Sequence, residues 1–163
     1  MRRIYLGIGT NVGRRTENIK RAIDLLAAQV DISAVSPIYE TAAWGIEDQP
    51  DFLNLCIAGS CELDPWDLLY YVKNLEMEMG REETIRWGPR LIDIDILLMD
   101  EVVMSEPGLT IPHKGLPERA TVLVPLNDIA PYERHPVTGA TVAEMLAKVD
   151  VSSVWRFEEA SDN

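Results

Sequence analysis

Residues 86–98 read Arg-Trp-Gly-Pro-Arg-Leu-Ile-Asp-Ile-Asp-Ile-Leu-Leu, and the rest of the chain is organised around this stretch. Gly88-Pro89 predicts a loop, because proline forces the residue before it into an extended conformation. From Leu91 onward the run is apolar and largely β-branched except for two aspartates, which predicts a strand. Alternation along that strand puts the aspartates on one face and the apolar side chains on the other: Ile92, Ile94, Ile96 and Leu98.

The two aspartates, Asp93 and Asp95, have Cα atoms roughly 6.6 Å apart in an extended strand. Two carboxylates on a half-buried surface repel each other and lose hydration, so they require protonation, a basic partner or a divalent cation. Mg²⁺ prefers carboxylate oxygens and commonly bridges to phosphates, which Arg86 and Arg90 would suit. The alternative is an exposed edge strand with two solvated aspartates. The adjoining arginines and the Trp-Gly-Pro loop favour a site.

Length predicts one domain over residues 1–163. We expect its core at 3–130 and a polar acidic tail at 158–163. Hydrophobic residues make up 47% of the chain and charged residues 26%, as in ordinary globular domains. The apolar runs are too short to cross a bilayer, and Met1-Arg2-Arg3 leads straight into a strand pattern, so we expect a cytoplasmic location. A net charge of −12 argues against nucleic-acid or membrane partners.

The two cysteines, Cys56 and Cys61, lie five positions apart in one strand-like run. Their side chains should therefore leave opposite faces, which makes them reduced core residues rather than a disulfide. With two histidines and no Cys-x-x-Cys, a structural zinc site is not expected.

Periodicity over the first 98 residues predicts the order β-α-β-β-α-β. Thr10 or Asn11 is suited to cap the first helix, and Asp64 and Gly80 to begin and end the second. The order indicates a ferredoxin-like antiparallel sheet with both helices on one face. The predicted strands are 3–8, 32–41, 52–63 and 91–98, the helices 17–29 and 65–79, and the two long loops 42–51 and 81–89.

A less regular α/β extension follows. It is predicted to contain a short extension at 101–104, an extended segment at 109–113, a helical turn at 117–120, a strand at 122–126, a helix at 141–148 and a last strand at 154–157.

Several polar and aromatic residues near the loops allow two interpretations. His113, after Pro112, is either a turn histidine or a phosphate contact. Asn54, polar inside an apolar strand, could pair with the amide edge of a heterocycle. Glu76 is most simply a solvated helix residue and Arg81 a helix-end cation. The aromatic residues beside the loops are either core residues or stacking platforms for a flat ring: Trp44, Phe52 and Trp87.

Taken in order, these residues resemble the 6-hydroxymethyl-7,8-dihydropterin pyrophosphokinase family. The central match is Arg86-Trp87-Gly88-Pro89-Arg90-x-x-Asp93-x-Asp95. The other landmarks are Gly9-Thr10-Asn11, Tyr39-x-Thr41, Asp48-Gln49-Pro50-Asp51-Phe52-Leu53-Asn54, Glu76-x-x-x-Gly80-Arg81, Pro112-His113, Glu118-Arg119-Ala120 and Val124-Pro125-Leu126.

The resemblance implies a ferredoxin-like enzyme of folate biosynthesis that transfers pyrophosphate from ATP to the hydroxymethyl group of the dihydropterin and releases AMP. Asp93 and Asp95 would hold two Mg²⁺ ions, with Arg81 and Arg90 neutralising the transferred group and His113 and Arg119 gripping the nucleotide phosphates. The nucleotide pocket would be lined by Leu69, Lys73, Glu76, Ile96 and Thr110. The pterin pocket would be lined by Thr41, Ala42, Trp44, Phe52 and Asn54, with Trp87 closing over the site.

One departure from the family pattern bears on the pterin. Thr121 stands where an aromatic residue usually stacks on the substrate, which puts pterin affinity in question but not the type of reaction. The resemblance implies ATP and the pterin as binding partners, and we expect the protein to be a monomer. Two alternatives remain open: another Mg²⁺-dependent nucleotidyl or phosphoryl transferase on the same fold, and a ferredoxin-like ligand-binding module without catalysis.

Overall fold

In a computed structural model of the protein, the described residues are 1–42, 51–80 and 91–158. No helix among these residues is long and apolar enough to cross a membrane. The helices are α1 (Arg15–Leu26), α2 (Pro65–Met79), α3 (Ala120–Ile129) and α4 (Val142–Leu146), with a 3-10 turn at Leu116–Glu118. The strands are β1 (Arg2–Thr10), β2 (Asp31–Val35), β3 (Tyr39–Thr41), β4 (Phe52–Cys61), β5 (Asp93–Met99), β6 (Met104–Glu106), β7 (Leu109–Ile111) and β8 (Val154–Arg156).

The main sheet has the strand order β5-β1-β4-β3-β8, and β2 pairs with β4 beside β3. Every pairing in it is antiparallel. Strands β6 and β7 form a separate hairpin. With β2 and β3 counted as one interrupted strand, this is the predicted ferredoxin-like α+β arrangement, and that prediction is confirmed.

The two faces of the sheet are covered by different helices. Helices α1 and α2 pack on the face that carries Ile4, Leu6 and Ile8 of β1. Helices α3 and α4, from the C-terminal extension, pack on the opposite face against Tyr5. Burying each aliphatic side chain contributes roughly 1.5–3 kcal/mol, so both layers stabilise the sheet strongly. Cys56 and Cys61 are free, buried and in opposite layers, as their spacing predicted.

The prediction of a strand at Val122–Leu126 is wrong, because these residues lie in α3. The β-branched Val122 and Val124 suggested a strand, but the buried residues Leu123, Leu126 and Ala130 follow helical spacing. Covering the apolar part of the sheet outweighs the cost of Pro125 inside the helix.

The predicted second strand, 32–41, is interrupted at Ser36-Pro37 and divides into β2 and β3. Pro37 has no N–H to offer the sheet. The Ser36 hydroxyl instead accepts a hydrogen bond from the Cys56 N–H at 2.9 Å, which holds the break against β4.

The cap predicted at Thr10 or Asn11 is also wrong. Helix α1 begins at Arg15, with Arg14 at the N-cap position and no side-chain cap. Thr10 ends β1, and its hydroxyl donates to the Leu91 carbonyl at 2.6 Å. Thr10 therefore ties the end of β1 to the segment that enters β5.

Strand β5 contains an irregularity that changes which side chains share a face. Leu6 pairs with Ile96 and Tyr5 with Leu98, so Leu97 is an extra residue on the β5 side. Ile92, Ile94 and Ile96 belong to the α1/α2 layer as predicted, but Leu98 belongs to the α3/α4 layer. The prediction that Leu98 shares their face is therefore wrong, while Asp93 and Asp95 stay on one face because they precede the bulge.

Candidate active site

Only part of the sheet face under α3 and α4 is covered by those helices. On three adjacent strands the covered part is apolar, formed by Tyr5 on β1, Cys56 and Ala58 on β4, and Leu97 on β5. Continuing along the same faces, each strand changes to glycine or polar residues. There the sheet forms the floor of a cavity of about 560 Å³, which Gly7, Gly9, Asn54, Asp93 and Asp95 line together.

The glycines keep this floor open above the aspartates. Gly9 lies opposite Asp93 and Gly7 opposite Asp95 in the β1–β5 register. A Cβ at Gly9 would come within 2.9 Å of the Asn54 side-chain oxygen, closer than side chains approach each other. Glycine at this position therefore lets Asn54 and Asp93 face the same space.

The carboxylate of Asp95 lies beside His113, with its Oδ2 atom 3.9 Å from His113 Nε2. The other ring nitrogen, Nδ1, accepts a hydrogen bond from the Gly115 N–H at 3.2 Å. In the neutral imidazole the proton therefore sits on Nε2 and faces Asp95. Burial lowers the pKa of His113, Asp95 opposes that shift, and Arg119 adds to it.

The donor set at Asp93 and Asp95 fits Mg²⁺. Both carboxylates come from one strand face, and the Asp95 side chain is 42% exposed, so their oxygens are accessible from the cavity. Mg²⁺ is usually held by one or two carboxylates together with water and substrate phosphates. No group of three or more His, Cys, Asp or Glu side chains within 1–42, 51–80 and 91–158 could hold a metal ion.

The predicted pterin-side residues that the structure describes all line this cavity: Thr41, Ala42, Phe52 and Asn54. The Asn54 side-chain N–H donates a hydrogen bond to the Thr41 hydroxyl at 3.3 Å. This bond fixes the orientation of the amide, and with it the separate positions of the carbonyl oxygen and the N–H group. Arg119 and Thr121, at the start of α3, line the cavity as well. The structure thus brings the predicted pterin and metal residues into one space.

Of the predicted nucleotide-side residues that the structure describes, Arg119 alone lines this cavity. The others lie around β5, the edge strand, which α2 and β7 both contact. Leu69 is half-buried against the α1/α2 layer, Ile96 is buried there, and Thr110 is exposed on β7.

Glu76 is not the solvated helix residue that periodicity suggested. Its carboxylate accepts a hydrogen bond from the Ile94 N–H at 2.7 Å and pairs with Lys73 at 3.1 Å. Ile94 lies between the two aspartates, so Glu76 fixes the strand that carries them. Burial raises the pKa of Glu76, and the Ile94 N–H and Lys73 oppose the shift.

Five predicted site residues lie outside the described residues: Trp44, Arg81, Arg86, Trp87 and Arg90. Their roles remain predictions. Other cavity residues were missed by sequence reasoning, among them Gly7, Cys56, Glu118 and Ser153. The glycines had a readable signal, since Gly7 and Gly9 alternate with buried residues along β1. Ser153 had none, because its position depends on where the last strand pairs.

The chain matches the family model for 7,8-dihydro-6-hydroxymethylpterin-pyrophosphokinase (HPPK) over residues 5–131. A 2-amino-4-hydroxy-6-hydroxymethyldihydropteridine pyrophosphokinase from Methylorubrum extorquens is 43% identical over 160 residues, covering 97% of this chain and all of the relative. The enzyme of that name from Aquifex aeolicus is 42% identical over 137 residues, covering 84% of this chain and 86% of the relative.

Solved structures of the Plasmodium falciparum HPPK-DHPS share the fold. The wild type with SDX-DHP gives a TM-score of 0.72 at 18% identity, covering 96% of this chain and 47% of that chain. A variant with SDX-DHP gives 0.76 at 18% identity, covering 95% and 48%. This chain thus spans about half the length of those structures, and at such identity the likeness shows the fold alone. Together with the family match and the close relatives, the fold leads to one conclusion: the chain belongs to the 7,8-dihydro-6-hydroxymethylpterin-pyrophosphokinase family.

Proposed function

We propose that this chain transfers pyrophosphate from ATP to the hydroxymethyl group of 6-hydroxymethyl-7,8-dihydropterin, releasing AMP, in the cavity above Asp93 and Asp95. Family membership confirms the predicted reaction, a pyrophosphokinase step of folate biosynthesis with ATP as co-substrate, and favours neither alternative. One observation carries the assignment to this cavity: Thr41, Phe52 and Asn54 line it together with Asp93 and Asp95.

On the pterin side, the cavity offers a ring and an amide. Phe52 supplies a flat apolar surface on which the bicyclic ring stacks. Asn54 supplies a donor and an acceptor for the polar edge of the heterocycle, and its hydrogen bond to Thr41 fixes which of them faces the substrate. Ala42 adds a small apolar contact, and Trp44 and Trp87 complete the pocket in the roles the family pattern gives them.

Asp93 and Asp95 hold two Mg²⁺ ions in this proposal. When bound, such ions neutralise phosphate charge and lower the pKa of the attacking hydroxyl. The carboxylates themselves orient the ions toward the cavity, and Glu76 keeps the strand between them in place through the Ile94 N–H. Phosphoryl-type transfer depends mainly on positioning and charge neutralisation, which these residues provide.

Basic residues from several elements act on the phosphates. His113 lies 3.9 Å from Asp95, too far for a hydrogen bond, and donates its single N–H, on Nε2, to a phosphate oxygen. Arg119 adds a cation at the cavity rim. Arg81 and Arg90 neutralise the transferred pyrophosphate. The nucleotide lies along the β5 edge, lined by Leu69, Lys73, Glu76, Ile96 and Thr110.

We also propose that residues 1–163 act as one domain, with its core at 3–130 and an acidic tail at 158–163. The domain works as a cytoplasmic monomer, without nucleic-acid or membrane partners. The negative net charge supports the absence of nucleic-acid and membrane partners, because it disfavours binding to anionic polymers and surfaces.

Product analysis tests the function. The purified protein is incubated with ATP, Mg²⁺ and 6-hydroxymethyl-7,8-dihydropterin, and nucleotides and pterins are separated by chromatography. We expect AMP and diphosphorylated pterin in equal amounts, and no AMP when Mg²⁺ is replaced by a chelator. ADP with monophosphorylated pterin, or release of free pyrophosphate with an adenylylated product, would assign a different transfer reaction.

A further inference from the structure

We propose that the C-terminal strand β8 forms one wall of the substrate cavity, and that Ser153, the residue before it, determines specificity for the pterin. The inference rests on the proposed function for the identity of the substrate. The family match ends at residue 131, so it does not cover this strand. The argument rests on where β8 pairs, what fastens it and what Ser153 offers.

The pairing of β8 brings Ser153 to the pterin side of the cavity. Thr41 pairs with Val154, Glu40 with Trp155 and Tyr39 with Arg156 in antiparallel register. Thr41 and Val154 are the last pair of this register; Ala42 directly follows the one and Ser153 directly precedes the other, and both line the cavity. The wall beside the predicted pterin residues therefore comes from the C-terminal end of the chain.

Side chains fasten β8 to β3 beyond the backbone pairing. The Trp155 indole N–H donates to Glu40 Oε1 at 3.1 Å, and Glu40 Oε2 pairs with the Arg15 guanidinium at 3.3 Å. The Arg15 and Glu40 side chains are only 25% and 20% exposed, so water and salt screen this pair less than a surface pair. The Arg15 guanidinium also lies 5.7 Å from the centre of the Phe157 ring, within cation–π range.

The same arginine holds the chain that enters β4. Arg15 donates to the Asp51 carbonyl at 2.9 Å, and Asp51 directly precedes Phe52. Arg15 and Glu40 therefore connect three parts of the pterin side: the strand ending at Thr41, the segment leading to Phe52 and the strand following Ser153. We assign both as positioning residues, because the structure gives them contacts to protein groups around the cavity.

Ser153 suits a polar, flat ligand by its chemistry and its size. Its hydroxyl can donate or accept, so it can pair with either kind of group on the edge of a pterin. Its side chain is exposed and small, which leaves room for the bicyclic ring. A bulky apolar residue in place of Ser153 would narrow the cavity next to Ala42. It would also remove the hydroxyl that pairs with the edge of the pterin.

The test compares neighbouring serines. 6-Hydroxymethylpterin is titrated into wild type, Ser153→Leu and Ser152→Leu, each saturated with a non-hydrolysable ATP analogue. Ser152 is exposed and does not line the cavity. We expect Ser153→Leu to weaken pterin binding by about tenfold, with the affinity for the ATP analogue unchanged, because added bulk in a pocket discriminates on this scale. Ser152→Leu should bind like wild type.

Ser153→Leu binding pterin as tightly as wild type would overturn the proposal, as would an equal loss in Ser152→Leu. Turnover of the wild type, measured in parallel, distinguishes a failure of the proposed function from a failure of the role proposed for Ser153. A wild type that binds pterin but forms no AMP contradicts the proposed function, while the comparison of the two serine variants still decides the role of Ser153.

Two further variants test the positioning network at Trp155 and Glu40, which do not themselves line the cavity. Trp155→Phe removes the indole N–H that donates to Glu40 and keeps a smaller aromatic side chain, and Glu40→Gln weakens the pairing with Arg15. We expect the KM for pterin to rise by about threefold in each, the scale of one lost hydrogen bond, with kcat and the KM for ATP unchanged. A uniform fall in kcat and in the thermal midpoint would assign these residues to general stability and contradict a positioning role.

Discussion

At the scale of single residues, Thr121 is the predicted departure from the family pattern that bears most on the pterin. It lies in the first turn of α3 and lines the same cavity as Phe52. A threonine presents one methyl and one hydroxyl group, which cover much less of a flat ring than an aromatic side chain does. Among the described residues that line the cavity, Phe52 is therefore the one aromatic ring on which the proposed pterin could stack.

Replacing Thr121 with phenylalanine should restore a second stacking surface. We expect Thr121→Phe to tighten pterin binding by roughly 0.5–1.5 kcal/mol, the scale of one added aromatic pair. Calorimetric titration of a pterin analogue into both proteins measures this, and the affinity for an ATP analogue, which should not change, serves as the control. Unchanged or weaker pterin binding would mean that other side chains already cover that face.

The residues that sequence reasoning found are those whose neighbours along the chain reveal them. Polar residues that interrupt apolar strands can be recognised from the sequence alone as candidate site residues, as at Asp93, Asp95 and Asn54. Ser153 has no such signal, because it meets the cavity only through the pairing of β3 with β8. Cys56 is the buried core residue that its sequence context predicted, but that context gave no indication that Cys56 also borders the cavity.

At the scale of elements, the layered arrangement was predictable and its second half was not. The alternation of apolar and polar residues predicted the faces of the strands, and the capping residues predicted the ends of α2. Asp64 is the N-cap of that helix, and its side chain accepts a hydrogen bond from the Asp67 N–H. Helix α3 was predicted as a strand, because its β-branched residues have strand propensity in isolation. Its true state follows from packing: Tyr39 on β3 donates a hydrogen bond to Asp128 on α3, and the helix covers the apolar end of the sheet.

The contact between α2 and β5 gives a prediction about pH. Because the folded-state pKa of Glu76 is raised, the fold favours the protonated carboxyl. The resulting stabilisation of the folded state is fully present at pH values below 4.5, the ordinary pKa of the carboxyl. It is lost as pH rises through the folded-state pKa. Glu76→Gln keeps an acceptor for the Ile94 N–H without the buried charge, so we expect its free energy of unfolding at pH 7 to equal or exceed that of wild type.

Glu76→Ala is the informative partner of this variant. It leaves the Ile94 N–H without its acceptor, which should cost about 1–3 kcal/mol. Urea denaturation of the three proteins at pH 7 and pH 4 measures the differences. If the glutamine variant is as unstable as the alanine variant at pH 7, the ionised carboxylate stabilises the strand and the proposed burial cost is wrong.

At the scale of the whole molecule, the sheet uses its two faces differently. One face is sealed by α1 and α2, and the other is sealed only where its residues are apolar. The open part carries glycines and aspartates, which are poor strand formers and contribute little to stability. The two core layers therefore stabilise the domain, and the remaining sheet surface stays open to the cavity that we propose binds the substrates.

The measurement that tests this account most directly is the activity and stability of the double variant Asp93→Asn, Asp95→Asn. We predict that AMP formation at saturating ATP and pterin falls by roughly 100-fold or more, since the groups that organise charge in the transition state are gone. In the absence of metal, the thermal midpoint should stay the same or rise, because two like charges on one strand face no longer repel. Turnover close to that of wild type in the double variant would contradict the assignment of Asp93 and Asp95 to the active site.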